Sequence, residues 1–289
     1  MDHPLPGLSP PPYLLYAPHP QTTPVVFASP HSGRVYPPEF LALARLDPLE
    51  LRRSEDSFVD ELFAAAPTHG APLLAAHFPR AYCDPNREAW ELDPAMFEDP
   101  LPPWVNTKSP RVAAGLGTVP RVVALGEAIY RNKLAFADAE ARVQGCWEPY
   151  HAALAGLIER TRDTFGACLL IDCHSMPGSP PTRDGGADVV LGDVHGTACS
   201  SRLTRLVETA LAKQGLTVRR NDPYAGGYVT RHYGRPREGV HALQIELARR
   251  LYMDEERIAK TPGFAQLAAR LSGLIEAVCR DAPGALRTA

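Results

Sequence analysis

The chain has 289 residues, of which 45% are hydrophobic and 22% charged, with a formal net charge of −3. That balance is ordinary for a folded protein with a substantial core, and it gives no reason to expect nucleic acid or an anionic membrane as partner. No apolar run approaches the roughly 20 residues needed to cross a bilayer, and the N-terminus lacks the basic-then-apolar pattern of a secretory signal. A cytoplasmic location is therefore the default expectation.

In chain order, residues 1–23 are rich in proline and predict an extended arm, since each ring fixes φ and removes a backbone donor. Val25–Ser29 is a short apolar run closed by Pro30, a buried-strand signal. Pro48 to Ala66 reads as one helix, with Leu51, Phe58, Val59, Leu62 and Phe63 at helical spacing. Ala71 to Phe78 is a second strand, and residues 84–120 form a long excursion dense in proline, aromatic and charged residues. Val122 to Phe165 reads as two helices broken near Gly145 to Pro149. Ala167–Asp172 is continuous and apolar, as central parallel strands are. Asp188–Leu191, Leu216–Arg219 and Leu243–Leu247 are further strands. Ser201–Lys213 is an amphipathic helix stopped by Gly215, and Glu255–Arg280 closes the chain as a helix. This alternation predicts an α/β fold of three layers, a mixed, mostly parallel sheet between helices. No internal repeat or linker divides it, so residues 24–289 are expected to form a single domain.

The polar clusters sit at the ends of predicted strands, where open α/β sheets bind ligands. His31 lies in Ser29-Pro30-His31-Ser32-Gly33, on a turn where Gly33 permits close backbone approach. Glu55 and Asp56 lie in Ser54-Glu55-Asp56-Ser57, where either a helix cap or a carboxylate ligand is possible. His174 closes the strand Ile171-Asp172-Cys173-His174, with Asp172 expected on the opposite face if the strand is still extended, so that it need not be a ligand. Two imidazoles and one carboxylate, with an open position for water, are a set expected for catalytic zinc; spacing alone does not choose between Glu55 and Asp56. Glu246, between Ile245 and Leu247, is costly to bury unless paired with an Arg or functional, and its functional reading is a general base toward water. Arg80 and Arg87, with Arg231 and His232 further on, offer groups suited to a substrate bearing carboxylates. Asp193 and His195 are secondary candidates for the base. Of the six cysteines, Cys168 and Cys173 fall in an apolar run and read as buried and structural.

These motifs together resemble the N-formylglutamate amidohydrolase family: SPHSG (29–33), SEDSFVDEL (54–62), RAYCDPNRE (80–88), DCHSM (172–176), DVVLGDVHGTAC (188–199), GGYVTRHYG (226–234) and QIELARRLYM (244–253), in family order. Pro85 stands where the pattern has Leu, and Val194 where it has Arg. The resemblance implies a zinc-carboxypeptidase-like (phosphorylase/hydrolase-like) fold with an eight-stranded sheet, and one Zn²⁺ per chain held by His31, Asp56 and His174. It implies Glu246 as base, and Asn86 with Arg87 as the clamp on a substrate carboxylate. The expected reaction is zinc-dependent hydrolysis of an N-acyl acidic amino acid, with N-formyl-L-glutamate the leading candidate. The alternatives are another N-acyl amino acid deacylase, a carboxypeptidase-like amidase, or a non-enzymatic binding protein on the same fold.

Overall fold

The computed structural model of the protein describes residues 12–123, 126–178 and 186–287. Residues 1–11 of the expected proline-rich arm lie outside the described residues, and the arm continues as a strand, β1 (Tyr13–Tyr16). The other sheet strands are β2 (Val25–Ser29), β3 (Leu73–Ala76), β4 (Cys168–Met176), β5 (Val189–Gly192), β6 (Val218–Arg220) and β7 (Val240–Ala248). A separate two-stranded ladder pairs β8 (Met253–Asp254) with β9 (Ala259–Lys260). The helices are α1 (Pro38–Leu43), α2 (Pro48–Arg52), α3 (Val59–Leu62), α4 (Pro110–Ala113), α5 (Phe136–Arg142), α6 (Glu148–Phe165), α7 (Ser201–Lys213), α8 (Tyr228–Tyr233) and α9 (Gly263–Leu286). No helix among the described residues is long and apolar enough to cross a membrane.

The protein is α/β, with a mixed, mostly parallel sheet in the order β1-β3-β2-β4-β7-β5-β6. β2 with β4, β4 with β7, and β5 with β6 run parallel, while β5 runs antiparallel to β7. Among the described residues the sheet has seven strands, one fewer than the resemblance implies. All nine residues of β4 and all nine of β7 are buried; β4 opens on the apolar run Cys168–Ile171, as strands covered on both faces do, whereas β7 alternates Leu243, Ile245 and Leu247 with Gln244 and Glu246.

Two compact units make up the described chain. The first comprises the described residues through Leu14 with Pro30–Ser57 and Ala75–Ala153. Its described residues include a small core around Leu92, Phe97, Val119 and Leu134 and another around Phe40, Leu51, Ala81 and Ile129. The second comprises Leu15–Ser29, Phe58–Leu74 and Leu154–Ala289. Its core joins Val25 and Phe27 of β2, Leu169, Ile171 and Cys173 of β4, Leu243, Ile245 and Leu247 of β7, and the apolar stripes of α7 and α9.

Three helix expectations are corrected. The helix expected over 48–66 is two short helices, α2 and α3, separated by residues 53–58. Phe58 there takes a left-handed φ of 68°, and the Asp56 N–H bonds to the His31 carbonyl instead of continuing a helix. Among the described residues the α-helix expected from Val122 starts at Phe136, and the break expected near Gly145–Pro149 is a π turn, Val143–Trp147, that joins α5 to α6. That wider turn absorbs Pro149, which has no N–H to give. The closing helix begins at Gly263, not Glu255, because the β8–β9 ladder takes the intervening residues.

Candidate metal centre and active site

His31 follows β2 directly. A Cβ on Gly33 would lie 1.9 Å from the Phe78 carbonyl oxygen, so only glycine lets this turn approach that backbone. The His31 carbonyl accepts the Asp56 N–H at 3.0 Å, which fixes the two residues side by side despite their separation in sequence. Their side chains follow: His31 Nδ1 is 3.3 Å from Asp56 Oδ2, and both residues are buried.

The other face of the imidazole meets Asp84, with Nε2 2.7 Å from Oδ1. Asp84 also accepts the Asn86 N–H at 2.8 Å and Arg80 Nη2 at 2.7 Å, with Arg87 Nη2 at 3.7 Å. Burial alone raises the Asp84 pKa, but Arg80, Arg87 and His31 outweigh it and hold the carboxyl well below the usual carboxylate range. With a metal bound, an ionised Asp84 would accept the proton of His31 Nε2 and leave the Nδ1 lone pair for the ion beside Asp56, as carboxylates behind metal-binding histidines do. Asp84→Asn keeps the shape and loses the charge; metal affinity should fall roughly 10–100-fold in a chelator competition. An unchanged affinity would remove Asp84 from this role.

His174 lies within β4, two residues beyond the end expected for that strand. Asp172 is not on the opposite face: residues two apart in a strand share a face, and its Oδ1 is 3.0 Å from His174 Nε2. Thr230 donates to Asp172 Oδ2 at 3.2 Å. The parallel register sets Gln244 of β7 beside Asp172 and Glu246 beside His174. Four polar side chains thus alternate with the core residues of the same two strands. Gln244 Nε2 donates to Glu246 Oε1 at 2.8 Å, and the Gly227 N–H donates to Gln244 Oε1 at 2.7 Å.

His31, Asp56 and His174 each offer one ligand atom, and these atoms lie within 4.8 Å of one another. Two ligands on one tetrahedral zinc at about 2.0–2.1 Å stand roughly 3.3–3.4 Å apart, the spacing of His31 Nδ1 and Asp56 Oδ2. The donor set, two imidazoles and one carboxylate, suits zinc and leaves a fourth position. Glu55, the rival to Asp56, is engaged elsewhere. It accepts from Tyr36 Oη at 2.7 Å, Ser57 Oγ at 2.8 Å and Arg52 Nε at 3.2 Å. Burial raises its pKa despite these donors.

The other expected site residues fall in two groups. Arg80, Asn86 and Arg87 surround Asp84. Arg87 also donates through Nε to the Leu116 carbonyl and through Nη1 to the Asn86 carbonyl, both at 2.7 Å. Arg231 and His232 are exposed on α8. Arg231 Nε donates to the Gly226 carbonyl at 3.3 Å, and the His232 ring stacks on Tyr228. Burial, and then Arg235, hold the His232 imidazole below its usual range, so at neutral pH it acts as a neutral hydrogen-bonding group. All six cysteines are free and buried. Burial lifts the Cys173 thiol well above its ordinary pKa and Cys168 to about 12, as structural cysteines require. Reading the sequence did not single out Asp84 or Gln244 as functional. The available signal was their place, two residues before Asn86 and two before Glu246.

Comparison with known proteins agrees with the resemblance. The family model for N-formylglutamate amidohydrolase matches residues 23–253. The chain is 31% identical to the N-formylglutamate deformylase of Pseudomonas aeruginosa over 239 residues, covering 81% of this chain and 83% of the relative. It is 31% identical to that of Pseudomonas putida over 205 residues, covering 69% and 71%. The crystal structure of an N-formylglutamate amidohydrolase from Ralstonia eutropha JMP134 superposes with a TM-score of 0.87 at 39% identity, covering 93% of this chain and 97% of that one. A gene product of Agrobacterium tumefaciens shares the fold at a TM-score of 0.68 and 19% identity, covering 94% and 96%. With a match spanning most of its length, the chain belongs to the N-formylglutamate amidohydrolase family.

Proposed function

We propose that the protein hydrolyses N-formyl-L-glutamate to formate and L-glutamate with one zinc ion per chain. The observation that carries this reading is the buried His31–Asp56–His174 group, in a chain whose relatives are named for that reaction. His31, Asp56 and His174 would hold the ion, which when bound supplies a Lewis acid for an acyl oxygen and for water. Glu246 takes a proton from the attacking water as its oxygen adds to the formyl carbon. It returns that proton to the leaving nitrogen as the C–N bond breaks. Asn86 and Arg87 hold the α-carboxylate and so place the formyl carbon for attack. Arg231 meets the side-chain carboxylate, with His232 as a neutral donor beside it. Arg80, tied to Asp84, acts on the α-carboxylate side.

The test combines metal analysis with a panel of N-formylglutamate, N-acetylglutamate, N-formylaspartate and a dipeptide. The reading expects about one zinc per chain and the highest kcat/KM on N-formylglutamate. Preference for another acyl amino acid would identify a different deacylase, and cleavage of the dipeptide an amidase of peptides. Purified protein with neither metal nor turnover would point to a binding protein.

The clamp has its own test. Arg87→Lys keeps the charge and loses the planar fork, so KM should rise with a smaller loss of kcat. N-formylglutamate and its α-amide should then differ less in the variant than in the parent. An equal penalty on both substrates would mean that Arg87 does not read the α-carboxylate.

A further inference from the structure

We infer that Gln244 is a positioning residue for Glu246, an inference that rests on the reading of Glu246 as general base. Gln244 is buried on β7, two residues before Glu246 and on the same face. Its amide has an unambiguous orientation. The Gly227 backbone N–H can only donate, so the atom it meets at 2.7 Å is the carbonyl oxygen Oε1. Nε2 is therefore the group that faces Glu246 Oε1, at 2.8 Å. A donor there fixes the plane of the carboxyl group.

The fixing matters because a general base acts only within hydrogen-bond reach of the proton it takes, about 2.6–3.2 Å. A Glu side chain has several rotatable bonds, and a hydrogen bond to one carboxylate oxygen restricts them. Gln244 supplies such a bond and is itself held by backbone. The anchor is Gly227, immediately before α8, and α8 is tied to the neighbouring strand by Thr230, which donates to Asp172. Each of the two polar rows, Asp172–His174 on β4 and Gln244–Glu246 on β7, thus has its first member fastened to the segment 227–230. The same hydrogen bonds would arise if Gln244 merely satisfied buried polar groups, and the experiment separates the two roles.

Gln244→Met matches the side chain in length and lacks both amide groups. Gln244→Asn keeps the amide but falls one methylene short of Glu246, so it serves if the methionine variant folds poorly. Each is made alone and in the Glu246→Gln background, and kcat, KM, bound zinc and Tm are measured with the best substrate of the acyl panel. Misplacement of a reacting group costs on the order of 10–100-fold, so the single variants should lose that factor in kcat with KM and zinc content unchanged. In the Glu246→Gln background the same substitutions should cost nothing further in kcat, because the residue they position can no longer accept a proton. A normal kcat in both single variants, beside a slow Glu246→Gln enzyme, would overturn this inference alone. So would a loss that adds in full to that of Glu246→Gln, since Gln244 would then act independently of it. A zinc-loaded Glu246→Gln enzyme with normal kcat would overturn the general-base reading and this inference with it.

Discussion

His31→Ala and His174→Ala should each abolish stoichiometric zinc binding and activity while the fold survives. The two histidines reach the same group from different parts of the chain, one on the turn after β2 and one within β4. Removing either leaves one imidazole and one carboxylate, too few to hold a catalytic zinc. Outer-shell partners alone are worth 10–100-fold in affinity, so deletion of a ligand should cost more than roughly 100-fold. The fold survives because neither imidazole belongs to the apolar core, which is built from Ile171, Cys173, Ile245 and their neighbours. After loss of His31, Asp84 retains Arg80 and the Asn86 N–H as partners. Chelation supplies an internal check. A ligand that binds only the native state stabilises it in proportion to the logarithm of its concentration over Kd. A chelator should therefore lower the Tm of the parent protein and leave that of both variants unmoved. Full zinc occupancy in both variants would reject the site.

How much of this was legible in the sequence depended on how local each cause was. β2 and the first half of β4 are legible because strands buried on both faces carry an unbroken apolar run, and β7 because Leu243, Ile245 and Leu247 recur at a period of two. The break at residues 53–58 is not, since it is made by a bond from Asp56 N to the carbonyl of His31. Helical periodicity over 48–66 carries no trace of that partner. The same distance effect hid Asp84, whose carboxylate meets an imidazole 53 positions earlier. Asp172 differs for another reason: residues two apart on a strand share a face, so it lies with His174 and not opposite it. The choice of Asp56 over Glu55 needs three dimensions as well, because the donors from Tyr36, Ser57 and Arg52 show where the Glu55 carboxylate is spent.

Glu246→Gln should lower kcat by about 10²–10⁴-fold, equivalent to roughly 3–5 kcal/mol of barrier, with zinc content and KM close to those of the parent. The substitution is close to isosteric. Its amide oxygen can still accept the Gln244 N–H, so the polar row on β7 keeps its bond and the neighbouring His174 keeps its surroundings. What the variant cannot do is take a proton from water. If Glu246 were only a structural acceptor in a buried row, the change would register in Tm and leave turnover intact. The two roles therefore separate on one measurement pair, kcat against Tm, with zinc content as the control for integrity of the site. A well-folded, zinc-loaded variant with near-normal kcat would reject Glu246 as base and send the search to the turn after β5. There Asp193 is a poor substitute, because its carboxylate already accepts from the Gly196 N–H, Asn221 Nδ2 and Thr204 Oγ1. His195, exposed on that turn with a φ of 55°, would be the residue to replace next.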